Sequence, residues 1–263
     1  MKFMGLFIIC MGQILFAEQR LSEMYTFPLT KEQPATLMLD WDKHKAIVTM
    51  GEKNTTLDNI SEDFVMAWNE YGETDITFND FNFDGYMDIA ITFSVWQTGN
   101  NSCYDYYFFE PKDTLFYKAI SHVCNLQISK KEHILHAHLK DGLDYEHRYY
   151  QIDERGKPFL FLRGENHVTN EDLSPVKYSS SQVKIRSERA YFYDMWEGKR
   201  LKTYLIRGDK VRVLDEESTR EGVWWMKVSY EGKKKLYSNW LKLSDLAFEP
   251  MKSDTTKYDD RDF

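Results

Sequence analysis

Nine residues constrain this chain more than any others: Asp80-Phe81-Asn82-Phe83-Asp84-Gly85-Tyr86-Met87-Asp88. Oxygen-bearing side chains fall at the first, third, fifth and ninth places, glycine at the sixth, and the Tyr86 carbonyl is available at the seventh. Calcium is a hard ion that takes about six to eight oxygens at roughly 2.3–2.6 Å, and this alternation can turn successive oxygens toward one centre. Glycine at the sixth place permits the sharp turn that brings the two halves together. An EF-hand would supply a bidentate glutamate at the twelfth place, but Ile91 stands there, and residues 89–93 leave the loop as a strand pattern. The expectation is therefore strand, calcium loop, strand, with Asp80, Asn82, Asp84, Tyr86 (through its carbonyl) and Asp88 holding Ca2+. A solvated acidic turn is the alternative. No second copy of the spacing occurs, which excludes an array of such loops.

The rest of the chain reads as short strands. Of 263 residues, 17 are Tyr and 17 Phe, and these cluster with Val and Ile in short runs between turns. Residues 35–39 and 46–50 flank Asp40-Trp41-Asp42-Lys43, a hairpin tip. Residues 104–109 and 115–117 flank Pro111-Lys112-Asp113, whose proline presets a turn. Residues 134–138 and 147–152 flank a second polar turn at 140–144. Even spacing of this kind predicts an all-β fold, a propeller-like or sandwich arrangement of antiparallel sheets. One helix is expected at 61–70, with Ser61 as N-cap. A formal charge of −8 argues against nucleic-acid partners, because phosphate recognition needs a concentrated basic face.

Residues 1–17 have the form of a signal peptide: Lys2, an apolar stretch over 3–16, then Ala17 before Glu18-Gln19-Arg20. The apolar stretch is shorter than the roughly 20 residues a spanning helix needs. An exported chain, periplasmic or secreted and without a membrane span after cleavage, is the expectation. Cleavage removes Cys10 and leaves Cys103 and Cys124. In an oxidising compartment two cysteines read as one disulfide, two free thiols being the alternative.

The loop resembles the Asp-x-Asn-x-Asp-Gly-x-x-Asp loop of FG-GAP and VCBS-type β-propeller repeats. With Thr98-Gly99-Asn100-Asn101, Cys103-Tyr104-Asp105-Tyr106-Tyr107 and Cys124-Asn125-Leu126, it is similar to exported, single-site calcium β-propeller-like proteins. That family includes periplasmic lysozyme inhibitors, some of them immunity proteins against cell-wall-degrading toxins. The likeness covers about residues 76–125 and implies a calcium-braced scaffold with a disulfide between the two cysteines.

Division of the chain is expected as a calcium-binding β domain over 18–164, a Ser-rich polar linker over 165–181, a second domain over 182–248 and a flexible acidic tail over 249–263. The second domain resembles a bacterial SH3-like barrel. The likeness rests on residues 188–194, the Gly208-Asp209 turn into Val211-Arg212-Val213-Leu214, Trp224-Trp225-Met226-Lys227-Val228, and Trp240-Leu241. It departs from that pattern at Asn239, where glycine commonly precedes the closing tryptophan.

Catalytic signatures are absent: no Gly-x-Ser-x-Gly elbow, no phosphate-binding glycine loop, no His-Glu-x-x-His. His136 and His138 share a strand face, read as a solvated face or a weak metal site. Tyr106 reads as core. The expected function is thus non-enzymatic: an exported binding protein that inhibits a cell-wall hydrolase by occluding its cleft, through Asn100, Asn101, Ser102 and Tyr104. The alternatives are a cell-envelope adaptor binding peptidoglycan or peptides through the SH3-like domain, and a calcium-dependent hydrolase.

Overall fold

The computed structural model describes residues 22–40, 45–57, 75–94, 101–169, 172–173, 176–180, 183–219, 223–233 and 235–251. The expected signal peptide (1–17), the helix at 61–70, Asn100, most of the 40–43 hairpin tip and the tail beyond 251 lie outside them.

The fold is all-β. Among the described residues the strands form four antiparallel sheets, each built from consecutive segments of chain. The first holds β1 (Ser22–Pro28), β2 (Pro34–Asp40), β3 (Lys45–Met50) and β4 (Lys53–Leu57). The second holds β5 (Ile76–Asn79), β6 (Asp88–Ser94), β7 (Cys103–Glu110) and β8 (Leu115–Cys124). The third holds β9 (Gln127–Ser129), β10 (Ile134–Asp141), β11 (Asp144–Ile152), β12 (Pro158–Thr169), β13 (Asp172–Leu173) and β14 (Lys177–Ser180). The fourth, a curled seven-stranded sheet, holds β15 (Val183–Ile185), β16 (Arg189–Tyr193), β17 (Arg200–Ile206), β18 (Lys210–Ser218), β19 (Trp224–Glu231), β20 (Leu236–Lys242) and β21 (Leu246–Phe248).

The sheets stack in chain order, with a core between each pair. Leu37, Leu39, Ala46 and Val48 alternate with less buried neighbours, the period-two signature of a one-sided sheet, and meet Ile89, Ile91, Tyr107 and Phe109. The second sheet is used on both faces. Tyr107 and Phe109 point into this first core, while Tyr106 and Phe108 point into the next one, against Leu135 and Ala137 of β10. A strand buried on both sides needs apolar bulk at every position, which accounts for the unbroken Tyr-Tyr-Phe-Phe run. The third sheet repeats the arrangement: Ile134, Tyr149, Phe161 and Leu162 join Val183, Phe192, Trp224 and Leu246 in one shared core.

That shared core corrects the expected division at 165–181. Glu165 remains in β12 and pairs with Lys177 of β14, and Thr169 pairs with Asp172 of β13. The polar segment is an arm of the third sheet rather than a linker, and it needs few apolar residues because pairing satisfies its backbone. Residue 251 is also tied down, its N–H donating to the Leu160 carbonyl.

Candidate functional site

The 80–88 loop joins β5 to β6, whose last and first residues, Asn79 and Asp88, are cross-strand partners. Its side chains bind its own backbone. Asp80 accepts from the N–H groups of Asp84 (3.1 Å) and Gly85 (3.0 Å), Asn82 from that of Asp84 (3.2 Å), and Asp84 from that of Tyr86 (2.9 Å). The Asn82 amide donates to the second Asp84 oxygen at 2.9 Å. Left-handed backbone at Phe83 (φ 64°) and Gly85 (φ 89°) winds the loop around these contacts, and glycine carries that conformation without strain. Asp80, Asn82 and Asp84 are thereby brought together. Burial, with the nearby Asp80 charge, raises the Asp84 carboxyl above its ordinary range.

Asp88 is placed differently. It is 0% exposed, and both oxygens accept backbone N–H groups: Phe81 (2.8 Å) and Asn82 (3.3 Å) on one, Phe109 of β7 (2.9 Å) on the other. Burial raises this carboxyl well above its usual range even though the amides pull the other way. The residue expected as a ligand therefore anchors the loop to the sheet. Among the described residues no three Asp, Glu, His or Cys side chains stand in a metal-holding cluster. What the loop offers a cation is an oxygen-only set, Asp80, Asn82, Asp84 and the Tyr86 carbonyl. Its hardness suits calcium, and water would have to complete the shell.

At the far end of the second sheet, Cys103 and Cys124 face each other across β7 and β8 and are joined as a disulfide. Beyond it lies a bracket that the sequence did not announce. Asn101, 8% exposed, donates to the Lys140 carbonyl (2.8 Å) and accepts from the Lys140 N–H (3.2 Å) and the Asn125 amide (3.0 Å). Asn125 also donates to the His138 carbonyl (3.0 Å), while its side-chain oxygen accepts the Ser102 N–H (2.9 Å) and its own N–H donates to the Ser102 carbonyl (2.8 Å). Of the expected contact residues, Ser102 is exposed, Asn101 is spent inside, and the Tyr104 hydroxyl donates to Asp75. The only sequence signal for the bracket was the Asn-Asn-Ser-Cys and Cys-Asn adjacency.

His136 also departs from expectation. It is 8% exposed, stacked on Tyr149 (4.3 Å between centroids) and set edge-on to Trp224 of β19 (5.4 Å). Its Nε2 lies 3.3 Å from His147 Nδ1. Burial pushes its ionisation down to about 3. The face expected to be solvated is covered by the fourth sheet, where the Tyr149 hydroxyl donates to Glu216 at 2.6 Å and burial raises the Glu216 carboxyl to about 7.

No family model matches the chain, and no curated protein matches it. Among solved structures it is similar to a Xanthomonas protein described as related to a type IV secretion system. That likeness has a TM-score of 0.41 and 13% identity, and covers 72% of this chain and 94% of the other.

Proposed function

We propose that this chain is an exported, non-catalytic binding protein that blocks a cell-wall-degrading enzyme by occluding its cleft, its contact surface centred on Ser102. The observation that carries the reading is the bracket around that residue. A disulfide and the Asn101, Asn125 and Lys140 hydrogen bonds hold the exposed Ser102, at the entry to β7, in one shape. A segment already fixed in its bound form avoids roughly 0.5–1.5 kcal/mol of ordering cost per immobilised side chain. Calcium belongs to the same proposal as a brace: bound by Asp80, Asn82, Asp84 and the Tyr86 carbonyl, it would neutralise two crowded carboxylates. The test is release of labelled fragments from peptidoglycan by a panel of muramidases and amidases, with and without the protein. Inhibition of at least one enzyme is expected, weakened at least tenfold by Ser102→Trp, whose bulk blocks close approach. Wild-type potency in that variant, or no inhibition across the panel, overturns the reading.

A further inference from the structure

We infer that the free edge of β17, in the fourth sheet, is a docking site for an extended segment of a partner protein that alternates acidic and apolar side chains and joins the sheet as an added strand. This goes beyond the hydrolase reading and stands apart from Ser102. β17 ends the sheet order, and among the described residues no strand pairs with its outer side. An edge of this kind offers unpaired N–H and C=O groups to an incoming chain.

The register tells which groups these are. The Ile206 N–H donates to the Asp209 carboxylate (3.0 Å) and its carbonyl accepts the Asp209 N–H (3.0 Å), so Ile206 turns its backbone away from β16. The antiparallel period of two gives the same outward direction to Tyr204; beyond it the register of β17 on β16 shifts, and because the Lys199 carbonyl accepts the Asp194 N–H, Arg200 again turns its backbone outward. Asp209 closes one end of the edge, leaving those two residues as the open stretch.

Side chains on this edge select the partner. Arg200, Tyr204 and Ile206 lie on one face, opposite Tyr193, Tyr191 and Arg189 of β16, and with Lys202 all are exposed, Tyr204 at 40% and Ile206 at 54%. The Arg189 guanidinium sits over the Tyr204 ring (5.1 Å) and that of Arg200 over Tyr191 (4.6 Å), with the two tyrosines 5.4 Å apart. Stacking holds the cations in place while their N–H edges stay available to carboxylates. In a chain of net charge −8, this is a local reversal of sign. Charge complementarity therefore favours an acidic partner. A second copy is disfavoured, since its β17 edge would bring the same cations, Arg189, Arg200 and Lys202, to a face that already holds them.

The experiment uses the full chain and two labelled ten-residue peptides, one alternating Glu and Val and one alternating Lys and Val, read by fluorescence anisotropy. The Glu–Val peptide is expected to bind at least tenfold more tightly than the Lys–Val peptide, and Arg200→Glu with Lys202→Glu to reverse that order. Backbone amide shifts on the wild-type protein should be largest at Arg200 and Tyr204, a readout that does not depend on the variant folding. Equal affinity for the two peptides, or shifts centred on another strand, overturns the proposal. Displacement of the Glu–Val peptide by a sulfated glycan without any shift at those two amides overturns it too, because it would reveal charge attraction alone.

Discussion

Asp88 and Asp84 sit four residues apart in one loop and do separate jobs. Asp84 faces its loop partners, and removing it is expected to abolish calcium-dependent stabilisation. At a hundredfold excess over Kd such linkage is worth about 2.7 kcal/mol, so the melting temperature of the wild-type protein should fall on adding a chelator while that of Asp84→Ala stays put. A wild-type melting temperature indifferent to chelator removes calcium from the picture. Asp88→Asn is expected to cost about 2–4 kcal/mol with or without calcium, since an amide N–H₂ would confront backbone N–H groups that now meet oxygens. Urea denaturation in both conditions separates the two roles. The motif's spacing made the loop legible, down to the glycine. It could not show which way the ninth side chain turns. That depends on Phe81, which packs edge-on against Tyr106 at 5.0 Å and brings its own N–H over the Asp88 carboxylate.

The elements carry the next set of expectations. Cys103 and Cys124 are 21 residues apart, and replacing both with serine should cost roughly 3 kcal/mol by the chain-entropy model, measurable by urea denaturation. Gly164 of β12 faces Tyr178 of β14, and a methyl group there would lie 2.8 Å from Val176 Cγ1 and 2.9 Å from the Tyr178 ring. Gly164→Ala should therefore destabilise by about 1–3 kcal/mol and increase hydrogen exchange in β14 before other strands. The seam between the third and fourth sheets gives a pH profile with two opposed slopes. Folded His136 ionises near 3 whereas the unfolded chain takes up that proton near 6.5, so its contribution to stability is lost as pH falls from about 6.5 toward 3. Folded Glu216 keeps its proton to about 7 while the unfolded chain releases it near 4.5, so its contribution is lost as pH rises through that interval. Melting curves across pH should show His136→Gln flattening the acid limb and Glu216→Gln the neutral one. None of this seam was legible in sequence. His136 and His138 look like a wet strand face until Trp224, 88 residues later than His136, is set edge-on to His136.

For the molecule as a whole, fold class was the most legible property, because short aromatic runs and turn residues are local signals. Division into parts was the least legible. A Ser-rich stretch looks the same in a linker and in a sheet arm held by strand pairing and a packed tyrosine, Tyr178. Since Tyr149 and Phe161 share a core with Phe192 and Trp224, the third and fourth sheets should unfold together. Calorimetry should give one transition for them, and a separate melting step for residues 183–248 would contradict the shared core.

The order of that stack also carries a cost in time. Each sheet is made of neighbouring stretches of chain, so a polypeptide appearing from its amino end can complete one sheet and lay the next upon it without waiting for distant sequence. The longest wait is at the outer side of the third sheet, where Ile134, Tyr149 and Phe161 stay uncovered until the final third of the chain arrives. Any event that halts synthesis or threading before about residue 183 leaves a sticky, water-facing wall. Truncated products of this protein are accordingly expected to be captured by chaperones or to clump, and products ending a sheet earlier, near residue 126, to do the same through the bare Tyr106 and Phe108 face of the second sheet.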